Sequence, residues 1–225
     1  MAHLAKRVMN ELSINLNGAT AVIQGFGNVG SYAALELQHC GLKVIAVSDH
    51  TGALHSAPGL DIPSLLRHTA EHGNIAGYSN QLRCDPAGIL GFPCDVLVPA
   101  AMERVIDADG AANLKCRVLA EGANGPTTPE ADLVLERRQN EIFLIPDILC
   151  NSGGVIVSYF EWVQDLQQLF WEEEEVTRRE YQILDRAFDQ MVARAKRDKV
   201  FNRTAAMAIG LERVRAAKTT RGLFP

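Results

Sequence analysis

The sequence predicts an α/β protein, with a mostly parallel, doubly wound sheet followed by a helical C-terminal segment. Three observations carry this prediction. Short apolar runs alternate with amphipathic stretches as far as Pro146-Asp147, and this alternation is typical of parallel strands covered by helices on both faces. A glycine-rich turn joins the first apolar run to the amphipathic stretch that follows it. From Gly154 onward, apolar residues recur at helical spacing only.

The N-terminal elements follow from apolar spacing and from the positions of glycine. Leu4, Val8 and Leu12 stand four residues apart and predict the apolar face of a helix over residues 2–14. Asn17-Gly18 ends this helix ahead of the first strand. A helix follows the glycine-rich turn, and a second apolar run over residues 42–47 predicts the next strand. Residues 50–59 contain the glycines and proline of a loop or a small hairpin.

A third helix and three more strands are predicted after this hairpin. Asp61 caps the helix, which runs to about Glu71 and stops at Gly73. A loose, polar stretch follows it. Strands are then predicted at 95–99, 117–120 and 142–145. A helix at 102–106 follows the first of these strands, and a helix opened by Thr128-Pro129-Glu130, with proline at a tolerated first-turn position, follows the second.

Three apolar stripes predict three helices in the last part of the chain, packed on the sheet or on a partner. Core packing is the preferred interpretation of each stripe. The first comprises Val155, Tyr159, Trp162/Val163, Leu166 and Phe170. The second comprises Leu184, Ala187/Phe188, Met191 and Ala195, and the third comprises Met207, Leu211 and Val214.

The composition restricts the class of protein. The chain has 225 residues, of which 47% are hydrophobic and 22% charged, as in an ordinary globular protein. A net charge of −5 argues against a nucleic-acid surface. Apolar runs are too short to cross a membrane, and the N-terminus lacks a signal-peptide core, so a cytoplasmic protein is expected. The five cysteines form no C-x-x-C pair, which favours buried free thiols in a reducing compartment and predicts no metal site.

The turn after the first strand carries Gly25, Gly27 and Gly30, spaced G-x-G-x-x-G. Gly25 permits the sharp turn, Gly27 leaves the backbone open to a pyrophosphate, and Gly30 lets the helix pack close to the sheet. The helix N-terminus then presents N–H groups and partial positive charge to the anion. The motif predicts a Rossmann-like dinucleotide site; the alternative is a βαβ unit whose glycines serve only packing. The remaining residues assigned to this turn of the site are Phe26, Asn28 and Val29.

An acidic residue, Asp49, ends the second apolar run 19 residues after Gly30. A carboxylate at about this distance binds the adenosine ribose hydroxyls in dinucleotide-binding domains. Its charge would repel a 2′-phosphate, so NAD is the expected cofactor. His50 and Thr51 could tolerate a phosphate, which leaves NADP as an alternative, and His50 is assigned to the cofactor site.

Small and amide residues follow the later strands of the predicted sheet. Ligands of open parallel sheets bind beyond the carboxyl ends of the strands. Ala100 and Ala101 follow one such strand, and Asn124 and Asn151 follow the next two. Each asparagine carries both a donor and an acceptor, which suits a carboxamide or a ribose. We assign all four residues to the cofactor site; the alternative for the asparagines is to stabilise turns or cap helices.

Three segments together resemble the coenzyme domain of the glutamate, leucine, phenylalanine and valine dehydrogenase family. They are Gln24-Gly25-Phe26-Gly27-Asn28-Val29-Gly30, Glu121-Gly122-Ala123-Asn124-Gly125-Pro126-Thr127-Thr128 and Pro146-Asp147-Ile148-Leu149-Cys150-Asn151-Ser152-Gly153-Gly154-Val155. The resemblance extends from the first helix to Arg221-Gly222-Leu223-Phe224-Pro225. It implies an NAD(P)-binding domain of an enzyme that reversibly deaminates an L-amino acid by oxidation.

Within this family, Ser158 resembles the serine with which glutamate dehydrogenases reach the substrate's side-chain carboxylate. Ser158-Tyr159-Phe160-Glu161-Trp162 also resembles the bacterial glutamate type, which implies L-glutamate and 2-oxoglutarate as substrates, with Val155 beside them. Relatives that act on leucine or phenylalanine have an apolar residue at this position, and a coenzyme domain of that type is one alternative. The structural alternative is a helix serine that bonds the carbonyl four residues earlier.

The resemblance also implies that part of the enzyme is not in this chain. The family's catalytic lysine and aspartate belong to an N-terminal substrate domain, and none of the six lysines here has the glycine-rich surroundings of that lysine. No catalytic residue is therefore assigned. The expected organisation is a helix at 1–16 linking to a missing substrate domain, a dinucleotide-binding Rossmann domain at 17–153, and C-terminal helices at 154–225 packed on that domain.

A chain of this kind is expected to bind the dinucleotide without catalytic turnover. It is expected to bind glutamate or 2-oxoglutarate only together with the missing substrate domain. Full-length relatives are hexamers assembled largely through that domain, so a monomer or a weak dimer is expected here. An alternative of a different class is a standalone nucleotide-sensing regulatory subunit that pairs with a separate catalytic chain.

Overall fold

The computed structural model describes residues 1–222, so the predicted likeness at Leu223-Phe224-Pro225 lies outside the described residues. The chain divides into two compact units, Met1–Asn151 and a second unit that begins at Ser152. The first unit contains all the strands of the described residues, and the second is helical.

The first unit is built on a seven-stranded sheet, counted within the described residues, with the order β4-β3-β2-β1-β5-β6-β7. Its strands are β1 (Thr20–Gln24), β2 (Lys43–Asp49), β3 (Gly52–His55), β4 (Arg83–Cys84), β5 (Val96–Pro99), β6 (Val118–Ala120) and β7 (Phe143–Ile145). The strands β2, β1, β5, β6 and β7 are parallel, whereas β3 and β4 extend one edge antiparallel. The predicted α/β class with a mostly parallel sheet is confirmed.

The direction in which strands are added reverses at β1, which pairs with β2 on one side and with β5 on the other. In open α/β sheets such a reversal opens a crevice beyond the carboxyl ends of the strands, and ligands bind there. The strand interiors are apolar because both faces of the sheet are covered; Val22, Ile23 and Val98 are fully buried.

Six helices of the first unit lie within the described residues: α1 (Ala2–Glu11), α2 (Asn28–His39), α3 (Ile62–His72), α4 (Ala108–Asn113), α5 (Pro129–Arg137) and α6 (Asp147–Cys150). The predicted caps are confirmed. The Asp61 carboxylate accepts from the Ser64 N–H at 3.0 Å, and the Thr128 hydroxyl accepts from the Ala131 N–H at 3.2 Å. Gly73 ends α3 with φ +77°, a left-handed conformation that glycine adopts without strain.

The predicted helix at 102–106 is wrong, because the backbone of this segment pairs with a distant loop. The Arg104 N–H donates to the Gly125 carbonyl at 2.8 Å, and the Ile106 N–H donates to the Pro126 carbonyl at 2.9 Å. The helix begins later, after Asp107, whose carboxylate caps α4 at the Gly110 N–H. The stretch predicted as loose contains β4 and two short 3₁₀ helices, Asn80–Leu82 and Pro86–Gly91.

The second unit consists, in its described part, of α7 (Gly153–Gln167), α8 (Glu173–Asp198) and α9 (Asn202–Arg221). The stripe on α8 is confirmed as core, since Leu184, Phe188 and Met191 are buried. The Arg194 guanidinium forms a two-pronged bridge from α8 to Glu212 on α9, with distances of 2.9 and 2.8 Å. No helix in the described part of the chain is long and apolar enough to span a membrane.

Core packing is the wrong prediction for the stripes on α7 and α9. The exposed side chains of these stripes are Val155, Tyr159, Trp162, Leu166, Phe170, Met207, Leu211 and Val214. Phe170, at 85% exposure, is the most exposed of them and follows the end of α7. Leu12, predicted as part of the first helix's apolar face, is also exposed because α1 has already ended at Glu11.

Candidate functional site

The glycine turn has the geometry that its spacing predicts. Gly25 has φ +96°, and a side chain there would also lie 2.7 Å from the Ala100 carbonyl oxygen. A side chain on Gly30 would meet the Gly25 carbonyl oxygen at 1.8 Å, so α2 packs against the turn as only glycine allows. A side chain on Gly27 would meet nothing within 4 Å. Gly27 therefore borders open space, and neither the turn nor the packing requires a glycine there.

The N-terminus of α2 points its N–H groups out of this turn. The first intrahelical bond runs from the Ser31 N–H to the Gly27 carbonyl at 2.9 Å, so the N–H groups of residues 28–30 have no acceptor in the helix. Gly27 occupies the N-cap position and has no side chain to satisfy them. Because these groups and the helix dipole favour an anion, the turn fits a phosphate.

Other residues assigned to this turn differ in their exposure. The Phe26 side chain is buried, so only its backbone is available to a ligand, whereas Asn28 and Val29 are exposed. Among the described residues, the buried Oε1 atom of Gln24, directly before the turn, has no hydrogen-bond donor.

The loops after β5 and β6 lie beside the glycine turn. The Ala100 N–H donates to the Gln24 carbonyl at 2.7 Å, and the Gly122 N–H donates to the Pro99 carbonyl at 3.0 Å. A side chain on Gly122 would lie 2.5 Å from the Met1 Cε and 3.1 Å from the Ala100 Cβ. The carboxyl ends of β1, β5 and β6 therefore lie side by side, with the Met1 side chain against Gly122.

The Asp49 carboxylate is already bound by its own chain. Its Oδ1 accepts from the N–H and the hydroxyl of Thr51, at 2.7 and 2.6 Å, and its Oδ2 accepts from the Ile75 N–H at 2.8 Å. These bonds hold the β2–β3 turn and the loop after α3, a role that the sequence analysis did not identify. A ribose hydroxyl can use the lone pair that remains on Oδ2. His50, also assigned to this end, is exposed.

Asn124 and Asn151 meet although 27 residues separate them, with Asn151 Nδ2 donating to Asn124 Oδ1 at 2.6 Å. This bond leaves the Asn124 amide nitrogen as a donor and the Asn151 side-chain oxygen as an acceptor. A nicotinamide carboxamide carries the complementary pair, an oxygen and an NH₂ group. The two asparagines therefore form one hydrogen-bonded pair across two loops.

Glu121 and Asp147 lie in the loops that carry this pair, and the sequence did not predict a role for either of them. Glu121 is fully buried at the end of β6, and its Oε2 accepts from the Asp147 N–H at 2.9 Å. The Asp147 carboxylate in turn accepts from the Gly125 N–H at 2.8 Å. An acid that directly follows a buried strand, as Glu121 does, was the available signal.

Ser158 and Val155 lie in the second unit, both exposed on α7. They are three residues apart and so share one face of the helix. The exposure of Ser158 leaves its hydroxyl open to solvent. This serine is therefore available to a polar ligand.

All five cysteines are free, and three of them, Cys94, Cys116 and Cys150, are buried. Burial raises the pKa of the Cys150 thiol to about 12. Burial also raises the pKa of the Cys116 thiol to about 12. Both thiols are protonated near neutral pH and are poor nucleophiles. No group of three or more histidine, cysteine or acidic side chains suited to a metal occurs within residues 1–222.

The chain matches the family model described as Glutamate/Leucine/Phenylalanine/Valine dehydrogenase over residues 1–222. It is 44% identical over 218 residues to glutamate dehydrogenase of Thermotoga maritima, covering 96% of this chain and 52% of that protein. It is 41% identical over 210 residues to the NAD-specific glutamate dehydrogenase of Staphylococcus aureus strain COL, covering 93% and 50% respectively. The chain thus spans about half the length of the curated relatives it matches.

Solved structures of glutamate dehydrogenases are also similar to this chain, which again covers about half of each. The hetero-hexameric glutamate dehydrogenase of Thermus thermophilus, in a form with leucine bound, superposes with a TM-score of 0.90 at 33% identity, covering 100% of this chain and 54% of that one. Glutamate dehydrogenase of Peptoniphilus asaccharolyticus gives a TM-score of 0.80 at 32% identity, with coverages of 99% and 52%.

Proposed function

The chain belongs to the glutamate, leucine, phenylalanine and valine dehydrogenase family, and we propose that it is the NAD-binding half of a glutamate dehydrogenase. The observation that carries the proposal is the open space in front of Gly27, at the N-terminus of α2. The residues there fit a dinucleotide, because the N–H groups of residues 28–30 are available to a pyrophosphate.

Each end of the cofactor has candidate partners. Asp49, at the end of β2, is proposed to bind the adenosine ribose, and Asn124 and Asn151 to bind the nicotinamide carboxamide. Ala100 and Ala101 are proposed to leave room for the cofactor between these two ends. When bound, the nicotinamide supplies the acceptor for a hydride from the α-carbon of the amino acid. This chain's own residues bind and orient the ring.

NAD is the cofactor that we propose, with NADP as the alternative. The Asp49 carboxylate would repel a 2′-phosphate, and the hydrogen bonds from Thr51 and Ile75 hold this charge at the end of β2. The Staphylococcus aureus relative is NAD-specific by name.

The proposed substrate is L-glutamate, which the whole enzyme would deaminate reversibly to 2-oxoglutarate and ammonia. Support comes from Ser158, an exposed hydroxyl that suits a carboxylate, with Val155 on the same face of α7. We expect that Ser158→Ala, in an enzyme completed with the other half, loses discrimination between glutamate and norvaline. Unchanged discrimination would exclude this role for Ser158. It would favour the alternative that this chain is the coenzyme domain of an enzyme for apolar amino acids.

The exposed apolar stripe on α7 supports the proposal that this chain works with a second half of the enzyme. Tyr159, Trp162 and Leu166 are each more than half exposed, and contiguous exposed apolar surface is typical of a protein contact. We propose that the part of the family's chain not included here covers this stripe. Alone, the chain is proposed to be a cytoplasmic monomer or weak dimer.

Titration calorimetry with NADH tests the cofactor proposal, and an absorbance assay for glutamate-dependent NADH formation tests the rest. We expect NADH to bind and the absorbance to stay constant. Absence of binding would contradict the dinucleotide site. Steady turnover would contradict the proposal that this chain is only the cofactor-binding half.

A further inference from the structure

We propose that Glu121 is a positioning residue for the nicotinamide end of the site, because it holds together the two loops that carry Asn124 and Asn151. The inference rests on the proposed function for the identity of the ligand. It adds a residue that touches neither the proposed cofactor nor the substrate.

The buried carboxyl group of Glu121 is held by hydrogen bonds from two different loops. Glu121 is fully buried, and burying a carboxyl group is costly unless hydrogen bonds compensate. The Thr127 hydroxyl donates to its Oε1 at 2.5 Å, and the Asp147 N–H donates to its Oε2 at 2.9 Å. One contact lies in the loop after β6 and the other in the loop after β7, so the carboxyl group joins the two loops.

Asp147 joins the same two loops a second time. Its N–H donates to Glu121, and its carboxylate Oδ2 accepts from the Gly125 N–H at 2.8 Å. Gly125 directly follows Asn124 in the chain. The Asn151 N–H donates to the Asp147 carbonyl at 3.0 Å, one helical turn along α6. Asp147 therefore sets the position of both asparagines, and Glu121 sets the position of Asp147.

The spacing of the two asparagines decides whether one carboxamide group can bond to both of them. A planar carboxamide must accept from one asparagine and donate to the other at the same time. Because hydrogen bonds weaken steeply with distance and angle, a displacement of about 0.5–1 Å removes the second contact. The adenosine and pyrophosphate contacts lie at β1 and β2 and do not depend on this spacing. Loss of Glu121 should therefore weaken binding of the nicotinamide alone.

The experiment compares two ligands on three chains. NADH contains the nicotinamide, and ADP-ribose contains the rest of the molecule without that ring. Glu121→Ala removes the bonds to the Thr127 hydroxyl and the Asp147 N–H. Glu121→Gln retains an oxygen for the Asp147 N–H, and the Thr127 hydroxyl can rotate to accept from the new amide. Kd is measured for both ligands by calorimetry, with the fluorescence of bound NADH as a signal of the ring itself.

We expect Glu121→Ala to weaken NADH binding about tenfold, the equivalent of one hydrogen bond, and to change ADP-ribose binding by less than about twofold. Glu121→Gln should restore most of the NADH affinity and its fluorescence. An equal loss for both ligands, or no loss for either, would overturn the inference. If the unmodified chain binds neither ligand, the proposed function itself fails, and the inference with it.

Asp147→Ala is the second variant, used if Glu121→Ala does not fold. It removes the carboxylate bonds from the Gly125 and Ile148 N–H groups but leaves the backbone N–H that donates to Glu121. A loss confined to NADH supports the inference, and an equal loss for both ligands overturns it.

Discussion

Gly27→Ala should separate cofactor binding from folding. Gly27 has φ −82° and ψ −162°, an extended conformation that alanine adopts readily. A Cβ atom there would meet nothing within 4 Å. The substitution should therefore leave folding intact, because the gain of about 0.4–1 kcal/mol through the unfolded state is opposed by the lower preference of alanine for the N-cap position. The added methyl group would, however, stand in the space that we assign to the pyrophosphate.

The expected loss of affinity follows from the contacts that the pyrophosphate would lose. Hydrogen bonds to a charged group contribute about 1.5–3 kcal/mol each. Displacement from one such N–H group at the N-terminus of α2 corresponds to a Kd for NADH that is about 10- to 100-fold higher. The assay is calorimetric titration with NADH, paired with thermal unfolding of the same sample.

Two further glycines provide the comparison. Gly91→Ala is the matched control, because a side chain there also meets nothing within 4 Å, and Gly91 ends the second 3₁₀ helix, ahead of the amino end of β5. Gly30→Ala should impair folding and binding together, since its Cβ would lie 1.8 Å from the Gly25 carbonyl oxygen. Unchanged NADH affinity in a folded Gly27→Ala chain would refute the assignment of a pyrophosphate to this turn.

Three other predictions concern the remaining parts of the chain. Asn151→Ala should weaken NADH about tenfold but change the 3-acetylpyridine analogue, which lacks the amide NH₂ group, far less; equal losses in the two titrations would argue against the carboxamide contact. Asp49→Asn places an NH₂ group against the Ile75 N–H or against the Thr51 donors, so stability should fall by about 1–3 kcal/mol and the preference for NAD over NADP should narrow. Asp61→Asn, which retains a good N-cap, is the control, and an unchanged preference would exclude Asp49 as the determinant. Phe188→Ala should cost about 3–5 kcal/mol in denaturant unfolding because the side chain is fully buried, whereas Trp162→Ala, at an exposed position, should cost far less; similar costs would contradict the exposed position of the α7 stripe.

The sequence alone determined the parts of this protein that depend on neighbours in the chain. The G-x-G-x-x-G spacing predicted a sharp turn at Gly25 and close packing at Gly30, because both follow from the absence of a side chain. The caps at Asp61 and Thr128 bond an N–H three residues away, so their residue type and position were sufficient. Apolar runs likewise predicted the parallel strands, since those strands are buried on both faces.

Only the tertiary structure decided the contacts between residues that are distant in the chain. The segment 102–106 has an acceptable helical pattern, yet Arg104 and Ile106 bond the loop at 125–126 instead. Apolar spacing on α7 and α9 showed that a face exists but not whether this chain covers it.

The same distinction applies to the site. Asn124 and Asn151 were each identified from the sequence, but their mutual hydrogen bond spans 27 residues. The partners of Glu121 and Asp147 lie in different loops, which meet only because β6 and β7 are adjacent in the sheet. Sequence therefore determined which residues stand at the strand ends, and tertiary structure decided which of them act together, because a hydrogen bond between loops depends on strand order and not on spacing along the chain.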